Sequence, residues 1–308
     1  MPSPAHAARL AALASLLLVA ACAGGAEHTV CRADLPLLEH KSHLIVPALI
    51  NGHSVPALLD TGAQGSSVTE ATITRLELQS DPRHGTIISG VGGQGVLQND
   101  ALIERFELAG YASGLVHYSV LQLSLDSPGK EPIGALVGDD LLSHFDIDLD
   151  VAHRKLALYD PDKCQDTQPD WQASALQVPL STSFGTGRLT LKVKVNGHEL
   201  NALLDSGSEG TVLDLAAAER IGVSREVLSK EPGGTGFGAA GVNFRMVAHK
   251  FESLEVAGDR FDGPTLAVLD RDLREADIIL GLDWLRKHHV LISFRRNILY
   301  VARPTGAG

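Results

Sequence analysis

Ala57-Leu58-Leu59-Asp60-Thr61-Gly62 and Ala202-Leu203-Leu204-Asp205-Ser206-Gly207 say nearly the same thing twice, 145 residues apart (205 − 60). In each copy an apolar run ends in an acid, a small hydroxyl residue and glycine. Each follows Asn-Gly-His at the same distance, Asn51-Gly52-His53 and Asn196-Gly197-His198. An Asp-[Ser/Thr]-Gly tripeptide alone carries little weight, since with average residue usage roughly one chain in ten of this length would hold one by chance. The longer agreement carries more. Asn-Gly between apolar segments is the strongest short hairpin signal, because a two-residue type I′ turn needs positive φ at both central residues. Leu44-Ile45-Val46 and Leu189–Val195 read as first strands, and the Ala-Leu-Leu-Asp runs as second strands. Leu189, Leu191, Val193 and Val195 alternate with Thr190, Lys192 and Lys194, a period of two that buries one face and wets the other. In both halves the acid closes a buried strand.

The second halves of the copies also align. Ala135-Leu136-Val137-Gly138-Asp139-Asp140-Leu141-Leu142 answers to Ile278-Ile279-Leu280-Gly281-Leu282-Asp283-Trp284-Leu285, and each precedes a strand-like ending, Lys155–Tyr159 and residues 297–301. Two copies of more than a hundred residues each make a duplicated domain, not a solenoid of short units. Helical pattern is brief: 69–76 and 214–221, the latter with a cap-like Asp214, follow the acid-bearing loops, and 141–144 and 284–287 read as short helical turns. The polar stretch between Pro161 and Pro179 looks like a connection. The expected organisation is a leader over 1–21, a tether over 22–39, a first lobe over 40–162, a linker over 163–179 and a second lobe over 180–304.

A chain of 308 residues with 44% hydrophobic content suffices for two compact, mostly β lobes. A net charge of −11 argues against a nucleic-acid partner, which would need a basic face. Residues 10–21, preceded by Arg9, are apolar but too short to span a bilayer comfortably and read as a secretory signal. Leu18-Val19-Ala20-Ala21-Cys22 resembles a bacterial lipobox, in which Cys22 would be lipidated and the protein tethered to the membrane of the cell envelope, facing the periplasm. The plainer alternative is an ordinary signal peptide with a chance cysteine and a secreted protein. Cys31 and Cys164 then remain, either as a disulfide or as buried inert thiols.

Gly90-Val91-Gly92-Gly93-Gln94-Gly95 and Gly236-Phe237-Gly238-Ala239-Ala240-Gly241 both fit G-x-G-x-x-G. Nucleotide binding needs those glycines to open a helix inside a βαβ unit, yet strand-like sequence follows each. The loops begin 30 and 31 residues after their acids (90 − 60; 236 − 205), so they read as hairpin tips covering a cleft. Gly90, Gly92, Gly93, Gly236, Phe237 and Gly238 are the candidate substrate contacts. Asp146, Asp148 and Asp150 alternate as a solvated strand face would. No histidine spacing suggests zinc and no G-x-S-x-G is present, so neither a metal, another cofactor nor a nucleophilic serine is expected.

With these motifs assembled, the chain resembles a retropepsin-type aspartic peptidase of bacterial kind, fused as two homologous lobes. Asp60-Thr61-Gly62-Ala63 and Asp205-Ser206-Gly207-Ser208 stand where that family has its catalytic loops. Leu136-Val137-Gly138 and Ile279-Leu280-Gly281 match its paired apolar-apolar-Gly signatures. The resemblance implies a closed β-barrel-like unit per lobe, a peptide-binding cleft between the lobes, and Thr61 and Ser206 bonding across the interface to hold the acids coplanar. Neither glycine loop carries a tyrosine, so paired covers are the closer analogy to a single flap. The chemistry fits the residue types: two carboxylates held close cannot both ionise, so one can deprotonate water while the other protonates the carbonyl oxygen. Asp60 and Asp205 are the expected catalytic pair and Thr61, Gly62, Ser206 and Gly207 their supports, in a monomeric endopeptidase acting on peptide or protein. The competing reading is a catalytically silent peptide-binding or scaffolding protein with the same fold.

Overall fold

The computed structural model of the chain describes residues 27–28, 31–91, 93–121, 126–129, 131–163, 169–182, 188–238, 242–271, 273 and 275–303. The expected leader, Cys22, Gly92 and Cys164 lie outside the described residues.

The Asn-Gly turns set the scaffold. His43–Ile50 pairs antiparallel with His53–Leu59, and Leu189–Val195 with His198–Leu204. The turn residues have φ of 50° and 79° at Asn51 and Gly52, and of 50° and 77° at Asn196 and Gly197, the left-handed pair that a type I′ turn demands. Each asparagine also locks a neighbouring segment. Asn51 Oδ1 accepts the Arg105 N–H at 3.0 Å and Asn196 Oδ1 accepts the Glu252 N–H at 2.8 Å. The period-two pattern holds over Leu189–Val195, with one exception: Thr190 is buried under the short edge strand Ser181–Thr182 and donates its hydroxyl to Ser181 O at 3.1 Å.

Each acid-bearing strand then takes a parallel partner from the apolar-apolar-Gly stretch. His53–Leu59 pairs with Ala135–Val137 in the register Leu59↔Val137, and His198–Leu204 with Ile278–Leu280 in the register Leu204↔Leu280. All of Leu59, Val137, Leu204 and Leu280 are buried. At about 1.5–3 kcal/mol per fully buried aliphatic side chain, this packing is a principal anchor for the strand ends that carry the acids. The two short helices Glu70–Leu76 and Leu215–Arg220 follow, capped by Thr69, which accepts the Thr72 N–H at 3.3 Å, and Asp214, which accepts the Ala217 N–H at 2.5 Å. The turns read at 141–144 and 284–287 begin two residues earlier, as Asp139–Leu142 and Leu282–Leu285.

Neither lobe closes into the expected barrel. The first-lobe sheet runs from Glu27–His28 to Gln79–Gly90, and the second-lobe sheet from Gly233–Phe237 to Asp259–Asp262. One terminal strand in each belongs to a glycine-rich hairpin, Gln79–Gly90 with Gly93–Ile103 and Gly233–Phe237 with Asn243–Lys250. The two terminal strands of each sheet are not paired with one another, so the sheet stays open.

A third sheet joins the lobes, in the order Leu176–Pro179, Ile298–Val301, His289–Ser293, Asp146–Asp150, Lys155–Tyr159, Arg32–Pro36. Its central seam pairs Asp146 with Ser293 and Asp150 with His289. Two expectations change here. Arg32–Pro36 lies within the segment read as a tether, Leu38–His40 straddles its end, and Leu176–Pro179 lies within the one read as a linker, yet all three are paired strands. Nor are the alternating acids a solvated face: Asp146 and Asp150 are buried, Asp148 Oδ1 lies 2.5 Å from His289 Nε2, and Asp150 Oδ2 lies 2.7 Å from His153 Nδ1. Trp171 packs on His289 with ring centroids 4.2 Å apart, helping to cover that face. Cys31, beside this sheet, is disulfide-bonded.

Candidate active site

Asp60 and Asp205 sit one residue beyond their strands, where the parallel partner still holds the backbone: Asp60 N–H donates to Val137 O at 3.1 Å and Asp205 N–H to Leu280 O at 3.0 Å. Each acid loop then passes behind the glycine that ends the partner strand. A Cβ on Gly138 would lie 2.8 Å from the Gly65 carbonyl carbon, and one on Gly281 would lie 2.5 Å from Gly210 O. Any larger residue would push the loop, and the acid with it, out of place.

The lobes interlock immediately beside the acids. Thr61 N–H donates to Ser206 Oγ at 3.0 Å while Ser206 N–H donates to Thr61 Oγ1 at 3.0 Å. Each hydroxyl also donates onward across the interface, Thr61 to Leu204 O at 2.9 Å and Ser206 to Leu59 O at 2.7 Å. Both residues are buried, so these four bonds are shielded from competing water. Ser206→Ala would orphan the Thr61 N–H and Leu59 C=O. It is expected to cost about 1–3 kcal/mol for each buried group left unpaired, read as a lower urea-unfolding midpoint.

The interlock brings the carboxyls together. Gly62 N–H donates to Asp60 Oδ1 at 2.9 Å and Gly207 N–H to Asp205 Oδ1 at 2.8 Å. A Cβ on Gly207 would lie 2.5 Å from Asp60 Cγ, and one on Gly62 would collide with the Asp205 carboxyl. Both glycines are thus required by close approach, each to the other lobe's acid. Burial pushes both carboxyls above the ordinary carboxylate range, Asp60 furthest, with the neighbouring Asp205 adding to its rise. At Asp205 the Gly207 N–H, the Asp60 carboxyl and the Arg188 charge oppose that rise. The pair titrates as a unit, and the proton belongs to both.

The tips of the two glycine-rich hairpins meet each other. Gly90 and Gly93 pair at the first tip, and Gly238 of the second lies against the Val91 backbone, with no room there for a side chain. Gly236 pairs with Phe244, and a Cβ on it would lie 2.5 Å from that ring. The Phe237 side chain lies outside the described part of the structure.

Three features escaped the sequence reading. Arg188, which immediately precedes the strand Leu189–Val195, reaches across to donate to Gly62 O at 2.8 Å and is ion-paired with Glu275. Asp139 follows Gly138 where lobe two has Leu282; it is buried, neither carboxyl oxygen has a hydrogen-bond partner, and burial pushes it up to about 8, with Arg188 opposing the rise. Asp140 and Asp283 are matched anchors: Asp140 Oδ1 accepts the Ser66 hydroxyl at 2.6 Å, and Asp283 Oδ1 accepts the Thr211 hydroxyl at 2.8 Å. The available signal was where the copies agree and differ: both have an acid two residues past the glycine, but only one has Asp in place of Leu directly after it.

Two β lobes related by internal repetition, with two half-buried acids meeting at their junction, define an aspartic-protease-type site. The chain belongs to the aspartyl protease family, whose model matches residues 46–140 and 191–284, one span in each lobe. Over 122 residues it is 34% identical to "Protein DDI1 homolog 1" of Mus musculus, covering 39% of this chain and 28% of that protein. Over 115 residues it is 31% identical to "DNA damage-inducible protein 1" of Eremothecium gossypii, covering 37% and 23%. The matched segment thus spans less than a third of these relatives. They come from a mammal and a fungus and lend no support to the expected bacterial source. Among solved structures, basic 7S globulin from soybean aligns over 88% of this chain and 94% of its own, with 14% identity and a TM-score of 0.48.

Proposed function

We propose that the protein is an aspartic endopeptidase in which a water between Asp60 and Asp205 attacks the scissile carbonyl, with no covalent enzyme intermediate. The observation that carries this is the reciprocal Thr61–Ser206 interlock, which brings two half-buried carboxyls together, each against the glycine of the other lobe. The ionised member of the pair takes a proton from water while the protonated member gives one to the carbonyl oxygen, forming a tetrahedral diol. Collapse of the diol returns a proton to the leaving nitrogen and breaks the C–N bond. An extended peptide would lie between the acids and the hairpin tips, whose backbone groups are suited to pairing with it.

The test is incubation of the full chain with a denatured protein from acidic to neutral pH, beside the Asp60→Asn/Asp205→Asn double variant. Fragments are expected from the wild type alone. Because both carboxyls are raised, the shared proton survives past the ordinary carboxylate range, and the alkaline limb of the profile should lie above it. Binding of the denatured protein without fragments at any pH would favour the silent peptide-binding reading.

A further inference from the structure

Away from the dyad, at the root of the first glycine-rich hairpin, Asp81, His84 and His117 converge. The strand pairing of Gln79–Gly90 with Gly93–Ile103 shifts register between Asp81 and Gly85, so residues 82–84 bulge out and turn His84 back over Asp81. His117 arrives from Val116–Leu121, which pairs with the other side of Gly93–Ile103. Asp81 Oδ2 lies 3.1 Å from His84 Nδ1 and 3.1 Å from His117 Nε2, and the three atoms all lie within 4.8 Å of one another. A tetrahedral ion with ligand bonds of about 2.0–2.1 Å sets its ligand atoms roughly 3.3–3.5 Å apart. Two edges of that arrangement are therefore already nearly in place.

The strand opposite supplies an independent observation. Asp81 pairs in register with Asp100, which puts two carboxyls side by side on one face of the sheet. They are only 5% and 8% exposed, and while Asp100 Oδ2 accepts the Thr86 hydroxyl at 3.1 Å, Oδ1 is buried without a hydrogen-bond partner. The Arg83 guanidinium meets Asp81 and not Asp100, through Nε to Asp81 Oδ1 at 3.0 Å and Nη2 to Oδ2 at 2.9 Å. Two enclosed acids and a single guanidinium, with imidazoles converging on one oxygen, suit a further positive charge.

We propose that Asp81 Oδ2, His84 Nδ1 and His117 Nε2 bind a divalent transition metal of the zinc class, with a fourth position open to water. Mixed imidazole and carboxylate ligands select such ions over calcium or magnesium, which take all-oxygen sets. Arg83 keeps Oδ1 through its Nε and its own N–H, the latter at 3.0 Å, and its mostly exposed side chain is free to swing Nη2 away from Oδ2. The ion would tie the bulge to Val116–Leu121 and stiffen the root of the first glycine-rich hairpin. Histidine spacing along the chain gave no hint of this, because the ligands come from a bulge and from a strand 33 residues further on (117 − 84).

The test is calorimetric titration of the chelator-treated full chain with Zn²⁺ alone, and with Co²⁺ alone followed by its visible spectrum. Wild type should bind one tight equivalent and show the intense bands of a four-coordinate cobalt site. His84→Ala, at a half-exposed position where folding is not at stake, and His117→Gln should each lose that equivalent, weaken binding by about a hundredfold and lose the zinc-induced rise in Tm. Asp60→Asn, whose acid lies in the other site, should bind as wild type does. Absence of a tight equivalent in the wild type, or binding as tight as the wild type's in both histidine variants, would overturn the proposal and leave the cluster a hydrogen-bond network.

Discussion

Asparagine at position 60 or at position 205 is expected to lower peptide cleavage by about 10²–10⁴-fold, the range attributed to a positioned acid or base, without lowering the unfolding midpoint. The substitution is nearly isosteric, and neither the four interlobe bonds of Thr61 and Ser206 nor the strand registers behind the acids depend on the carboxyl charge. What it removes is the shared proton, since an amide can neither accept one from water nor pass one to the carbonyl. Groups that act as a unit do not contribute additively. The double variant should therefore be little worse than either single one in a fluorogenic-peptide assay. Near-normal turnover by either purified single variant would remove these acids from the chemistry.

Asp139→Asn is expected to stabilise the protein at neutral pH. In the folded chain burial pushes this carboxyl up to about 8 from an ordinary value of 3.8, so the folded state holds a proton that the unfolded state has released. Between those limits the folded state binds more protons, and linkage then requires stability to fall as pH rises from 3.8 towards 8. The penalty at pH 7 is on the order of 4 kcal/mol. Asparagine cannot titrate and should abolish it. Urea midpoints measured from pH 4 to 8 should fall with pH in the wild type relative to the variant, and parallel curves would refute the account. Asp139→Leu, which copies buried Leu282 of the other lobe, should stabilise in the same window. Asp139 also adds to the rise at Asp60, so either variant should move the alkaline limb of cleavage to lower pH. The cost of burying an unpaired acid at one lobe's glycine turn and an apolar residue at the other's makes the two halves electrostatically unequal.

Much of the site was legible because the features that build it are local. Asn51-Gly52 and Asn196-Gly197 specify left-handed turns over two residues, and Thr69 and Asp214 cap helices three residues on. The alternation of Leu189–Val195 reports which face is wet wherever water is the alternative to the core. Where a distant strand replaces water, alternation misleads. Asp146 and Asp150 read as solvated because nothing near them in sequence reveals that His289–Ser293 will lie alongside. The tether and linker misread for the same reason, since Arg32–Pro36 and Leu176–Pro179 become strands only on the edges of a sheet that both lobes contribute to.

The duplicated motif by itself determined that two acids close two buried strands, each strand entered through an Asn-Gly turn, because those requirements are written into a few consecutive backbone torsions and the alternation of neighbouring side chains. The tertiary structure alone decided that the sheets stay open, that Arg188 reaches the opposite lobe, that Asp139 is shut away beside the dyad, and that two histidines share one oxygen of Asp81. Those outcomes depend on burial and on charges brought together from remote parts of the chain, and no pattern of neighbouring residues encodes them.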